Sequence, residues 1–194
     1  MSRDARRCAV GATPTRARAL DADRDADGRT YALRERDAGT TCRDMVQLNA
    51  LQEKYGDDLV VIGIPSNTFG HQHYPKDFET LNSLKHVRPG DGYEPKFILT
   101  TKMEVNGANE EPFWTYLKQE LSFPSDDKGG LGAEHIYNIQ PNSMPIQWSP
   151  VRRGDISWNF EKFLIGKDGV PRKRYSPKFE NANIAPDIDE LLKM

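Results

Sequence analysis

The sequence predicts an α/β domain with one mixed sheet flanked by helices, and three observations lead there. After Gly39, segments with apolar residues at helical spacing alternate with short continuous apolar runs. The stretch "NFEKFLIGKDGVPRKRY" (159–175) reads as strand, Asp-Gly turn, strand, the signal of a β-hairpin. A short helical segment then closes the chain.

The elements follow in order. "TTCRDMVQLNALQEKYG" places Met45, Leu48, Leu51 and Tyr55 on one helical face, and Gly56 stops the helix. "DLVVIGIP" is a continuous apolar strand of the kind covered on both faces in a mainly parallel sheet. "PKDFETLNSLKHV" carries Phe78, Leu81, Leu84 and Val87 at helical positions between Pro75 and Pro89. "PKFILTT" reads as another strand and "EEPFWTYLKQEL" as a third helix. Residues 122–147, rich in Gly, Pro, Ser and Asn, read as a long surface excursion of the kind that serves a site or an interface. "APDIDELLKM" is the closing helix.

Composition narrows the function. A chain of 194 residues is long enough to bury an ordinary core. A net charge of -2 predicts no electrostatic attraction to nucleic acid or to a membrane surface. No run approaches the ~18 apolar residues of a membrane span, and the N-terminus has no apolar stretch of the secretory type. Cys8 and Cys42 are the only two cysteines and lie in different surroundings, which fits a reducing compartment. The expected location is cytoplasmic.

The chain divides unequally. Residues 1–37 hold nine Arg, no Lys and seven acidic residues, whereas residues 38–194 hold twelve Lys and six Arg. One reading of 1–37 is a poorly ordered, charge-balanced arm. The other is GC-rich coding sequence read in a wrong frame or from a misplaced exon. Residues 38–194 form the folded domain under either reading.

Three stretches go beyond fold class. "IPSNTFGHQ" (64–72), "HVRPGDGYEPKF" (86–97) and "WSPVRRGDISWNFEKFLIGKDGVPRKRYSPKF" (148–179) closely resemble the glutathione peroxidases. With "GTTCRDMVQLNALQEKYG" the resemblance runs in register from Gly39 to the C-terminus. It implies a thioredoxin-like fold and the reduction of hydrogen peroxide and organic hydroperoxides by glutathione, in defence against oxidative stress. The implied nucleophile is a selenocysteine, less often a cysteine, immediately before Gly-Thr-Thr. Its anion attacks the O–O bond, and the free N–H groups of a helix N-terminus favour that anion. One glutathione then forms a mixed selenenyl sulfide, and a second releases glutathione disulfide. Glutathione is the co-substrate, and no other cofactor or metal is implied. The 122–147 excursion resembles the subunit-contact loop of the tetrameric cytosolic branch, so a homotetramer is expected.

The resemblance assigns roles by position. Gln72 ends "FGHQ", and Trp158 and Asn159 stand in "SWNFEKF"; all three match family residues beside the nucleophile. An amide and an indole N–H are neutral donors that stabilise an anion and a leaving hydroxide without neutralising either. Arg43 and Arg88 match arginines that receive the carboxylates of glutathione, a task suited to a guanidinium. "RKRYSPKF" adds Lys173, Arg174 and Lys178, although relatives carry an Arg pair where Pro177 and Lys178 stand. Ser66 replaces a family cysteine outside the nucleophile position, and no cysteine follows Cys42, which leaves no resolving thiol for a thioredoxin-dependent route. His71 and His73 lack clustered partners and read as surface histidines rather than metal ligands. The Arg-Gly-Asp at 153–155 reads as part of the motif that leads into the hairpin.

The centre itself is missing. "YALRERDA" stands where the family has a buried apolar strand and then the nucleophile. Either Ala38 occupies the nucleophile's position or about three residues that include it are absent; no thiol or selenol precedes Gly39 under either alignment. Arg34, Glu35, Arg36 and Asp37 are four consecutive charges, so residues 30–37 are not expected to form a packed central strand. Cys42 lies four positions further on and reads as a structural thiol. A selenocysteine codon, UGA, taken as a stop and spliced around would explain both the compositional break and the absent nucleophile. The alternative is a non-catalytic thioredoxin-fold protein that binds glutathione or partners.

Overall fold

The computed structural model describes residues 8–10, 40–71, 76–125 and 146–194. Its sheet has five strands, β1 (Cys8–Val10), β2 (Leu59–Gly63), β3 (Ile98–Leu99), β4 (Lys162–Ile165) and β5 (Pro171–Tyr175), in the order β3-β2-β1-β4-β5. β1 runs parallel to β2, and β2 parallel to β3; β4 is antiparallel to β1 and to β5. A parallel half joined to an antiparallel hairpin is the mixed sheet of a thioredoxin-like fold. Among the described residues four α-helices accompany it: α1 (Thr40–Tyr55), α2 (Asp77–His86), α3 (Pro112–Glu120) and α4 (Ala185–Leu191).

The middle strand departs from expectation. Ala9 pairs with Val60 on one side and with Ile165 on the other, so the segment read as a poorly ordered arm supplies the sheet's centre. "CAVGATPT" is the longest uncharged stretch of residues 1–37, and β1 is its first part. A strand flanked on both sides cannot take the neighbouring arginines and aspartates without burying unpaired charge. Residues 30–38, where the family nucleophile and its strand are expected, lie outside the described residues.

Side-chain alternation along β4 splits the core into two layers. Leu164 faces Leu48 and Leu51 of α1, with Leu59, Val61, Ile184 and Ile188. Phe163 and Ile165 face the other way, onto Trp114 and Leu117 of α3, with Phe69 and Ile156. Met45 and Tyr55 complete the α1 stripe as half-buried neighbours. Phe78 differs from its expected burial: it is 37% exposed, at the open first turn of α2, with the Lys76 ammonium 5.7 Å from its ring centre. Gly63 lets β3 lie close on β2, since a Cβ there would stand 2.7 Å from Leu99 Cδ2. At the sheet's other border, the backbone N–H and hydroxyl of Ser125 both donate to the Arg174 carbonyl, at 2.6 and 2.9 Å.

Several charges are buried, each with partners. Lys118 on α3 donates to the Val105 carbonyl (3.1 Å), Asn106 Oδ1 (3.2 Å), Asp155 Oδ1 (3.2 Å) and Glu110 Oε2. The carboxylate of Asp155 has no exposed side-chain surface, and that of Glu110 is 6% exposed. Asp44, the fifth residue of α1, is equally buried and accepts from Arg43 Nη2 at 3.0 and 3.3 Å and from Asn181 Nδ2 at 2.7 Å. Burial pushes the Asp44 carboxyl above the ordinary carboxylate range, while the Arg43 hydrogen bond and the charges of Lys162 and Arg43 pull it back.

Two predictions follow from these buried groups. Lys118→Met leaves two carboxylates without their cation, so urea unfolding should report a loss of about 3–5 kcal/mol; a loss near zero contradicts the network. A carboxyl raised by folding binds protons more tightly in the native state, so the contribution of Asp44 to stability falls as pH rises through its folded pKa. Asp44→Asn removes that titration. The stability of the variant relative to the parent should therefore be greater at pH 7 than at pH 4, measured by urea midpoints at both.

Candidate active site

Residues 148–161 carry Trp158 and Asn159 and contain no helix or strand. Their path is fixed by polar groups from elsewhere. Asp155 Oδ2 accepts from Trp148 Nε1 (2.8 Å) and from the Arg152 N–H (2.7 Å), while Oδ1 faces Lys118. Asn106 clasps the backbone of Ile156, donating to its carbonyl and accepting from its N–H, both at 2.9 Å. Glu161 Oε2 accepts from the N–H (2.8 Å) and hydroxyl (3.1 Å) of Ser157, and Oε1 accepts from Arg174 Nε. The chain turns between Ser157 and Glu161, with Phe160 in the left-handed region at φ +61. Trp158 and Asn159 sit half-buried on that turn.

A second turn meets the first. After β2 the Ser66 and Thr68 hydroxyls bond to each other at 2.7 Å, and buried Phe69 follows. The Phe69 ring lies 5.8 Å from the Trp158 ring and 5.7 Å from the Trp148 ring. Ser66 is half-buried there. Gln72 lies three residues past Phe69 but outside the described residues, as do Ala38 and His73.

The expected basic residues separate into two groups. Arg43 is 31% exposed in its side chain, with Nη2 on Asp44 and Nη1 4.0 Å from Glu180. Arg88 is half-buried, Lys178 is exposed, and neither has an ion pair among the described residues. Arg43 is thus already engaged by two carboxylates, whereas Arg88 and Lys178 are not. Arg174 is a correction: it is 1% exposed and donates to Glu161 and to the carbonyls of Leu121, Ser122, Gly154 and Asp155. Its guanidinium holds the Trp158 turn and is closed to a ligand. Lys173 is paired with Asp187 at 2.6 Å.

Other expectations resolve simply. The Asp of the Arg-Gly-Asp is Asp155, which is buried, so the tripeptide is not a surface motif. Cys42 is free and half-buried, and His71 is exposed. No three His, Cys, Asp or Glu residues gather around a point among the described residues. The sequence reading did not single out Glu161, Asp44, Phe69 or Trp148. All four stand inside the quoted motifs, yet only their spatial partners show what they do.

Comparison with known proteins agrees with the motifs. The family profile "Glutathione peroxidase" matches residues 36–118. Glutathione peroxidase 2 of Mus musculus is 53% identical over 156 residues, 80% of this chain and 78% of the mouse protein. The protein of that name from Homo sapiens is 52% identical over the same shares. Among solved structures, T. cruzi GPX1 superposes with a TM-score of 0.48 at 20% identity, over 79% of this chain and 73% of that one. Identity at half the positions across four-fifths of the chain is decisive: this chain belongs to the glutathione peroxidase family of oxidoreductases, which take glutathione as co-substrate.

Proposed function

We propose that the protein's domain serves the reduction of hydrogen peroxide and small organic hydroperoxides by glutathione. Two thiols are oxidised to one disulfide, and the peroxide O–O bond is cleaved to two molecules of water, or to water and an alcohol. The observation that carries this reading is the Trp158–Asn159 turn, clamped by Glu161 and Asp155 and packed on the Phe69 turn that leads to Gln72. Fixed neutral donors stabilise a developing anion without a proton transfer of their own. Arg43, Arg88 and Lys178 are the groups for the carboxylates of glutathione, and Arg174 leaves that set.

The attacking atom belongs immediately before Gly39, as selenocysteine in the natural protein. A chain with Ala38 there has no group to attack the O–O bond. Its low cysteine count supports a cytoplasmic setting, and the 122–147 excursion supports assembly as a homotetramer. Selenoprotein character and a role in oxidative stress belong to the same reading.

Purified protein of this sequence should consume hydrogen peroxide no faster with glutathione than without it; a rate near that of an intact family member contradicts the reading. A peptide mass spectrum of the natural protein before Gly39 separates the alternatives. A selenium isotope pattern identifies an active selenoenzyme, whereas an unmodified "ERDAGTTCR" peptide makes the alanine real and favours a non-catalytic glutathione-binding protein. In either case Arg43→Ala should weaken glutathione binding, by calorimetry, about 10- to 100-fold, the range for one charge-assisted contact.

A further inference from the structure

We infer that Trp148 is a positioning residue for Trp158, acting through the ring of Phe69. The Trp148 indole is pinned at its polar end, where Nε1 donates to Asp155 Oδ2 at 2.8 Å. Asp155 is itself held by Lys118, so the acceptor does not wander. The backbone around Trp148 is equally constrained. Gly107, at φ +88, allows a close approach in which a Cβ would stand 3.1 Å from Trp148 Cβ and 3.2 Å from the Ser149 carbonyl oxygen. Ala108 donates its N–H to that carbonyl at 2.9 Å.

From this fixed indole the contact passes through rings. Trp148 meets Phe69 in an edge-to-face arrangement, with centroids 5.7 Å apart and planes at 80°. Edge-to-face is a preferred aromatic geometry, so it selects an orientation as well as a distance. Phe69 is 4% exposed and has little room to turn. Its ring lies 5.8 Å from Trp158, at 43°. Trp158 is half-buried on a turn outside any helix or strand, so its indole direction depends on what packs against it. Phe69 also opens the segment that reaches Gln72, and Trp148 thereby braces both turns. The importance of this direction for catalysis rests on the reading of Trp158 as a donor to the peroxidatic anion; the packing relay is tested separately.

The test uses the full chain labelled with 5-fluorotryptophan. Its three tryptophans, Trp114, Trp148 and Trp158, give three fluorine resonances that single Trp→Phe variants assign. Trp114 packs on Phe113 and Phe163 and serves as the internal control. In Trp148→Leu the Trp158 resonance should shift by more than its linewidth while that of Trp114 stays in place. Trp148→Phe, which keeps a ring against Phe69, should leave Trp158 near its original position. If Trp148→Leu does not fold, Phe69→Leu tests the same relay and should move the Trp148 and Trp158 resonances together. A Trp158 resonance that does not respond, or that moves only in step with Trp114, overturns the inference. In natural protein containing the nucleophile, Trp148→Leu should lower kcat about 10-fold with KM for glutathione unchanged, and Trp148→Phe should recover it. Absence of peroxidase activity in every form would remove the functional reading, while the fluorine spectra would still decide the relay.

Discussion

The burial of two carboxylates, Asp155 and Glu161, opposite two cations, Lys118 and Arg174, is the constraint on which the rest of the site depends. The segment between Trp148 and Glu161 has no backbone ladder to define it, so side chains must do so. A buried carboxylate left alone would be costly, and a buried cation likewise. Because each is satisfied only when several backbone groups also fall into place, the two pairs fix a path as well as contribute to stability. Lys118 reads Val105, Asn106 and Glu110 together with Asp155; Arg174 reads four carbonyls together with Glu161. The turn that presents Trp158 and Asn159 is suspended between them.

Local patterning made much of the fold legible. α1 announced itself through Leu48 and Leu51 at helical spacing, and the hairpin through Asp168 and Gly169, whose φ of +80 is what the turn requires. The central strand was not legible, because Cys-Ala-Val is too short to show a period, and its pairing with Val60 and Ile165 is set by distant sequence. Arg174 shows the same limit for the site. In "RKRY" it looks like Arg172 and Lys173, yet Arg172 is exposed and Lys173 half-exposed, whereas Arg174 is buried. Strand alternation alone would put Arg172 and Arg174 on one face. Only Glu161 and the carbonyls waiting for a guanidinium distinguish them. Trp158 and Asn159 were identifiable from their motif, but the groups that hold them were not.

The side chains that hold this turn lie outside the anomalous N-terminal part. Among the described residues, Phe69, Asn106, Glu110, Lys118, Trp148, Asp155, Glu161 and Arg174 hold it, and all lie beyond β2. Asp44, early in α1, is tied instead to Asn181. The groups that hold the turn are thus separate in sequence from the segment that precedes Gly39.

The sheet's borders carry a consequence for assembly. An outermost strand with a free row of carbonyls and amides is a template on which another chain can add a strand and propagate into a fibril. Here the Arg174 carbonyl on β5 is already occupied by Ser125, and the opposite border, β3, is two residues long. Among the described residues, these two features shorten the free run at each border. The Ser125 contact on β5 and the shortness of β3 thereby act as a partial guard against templated aggregation.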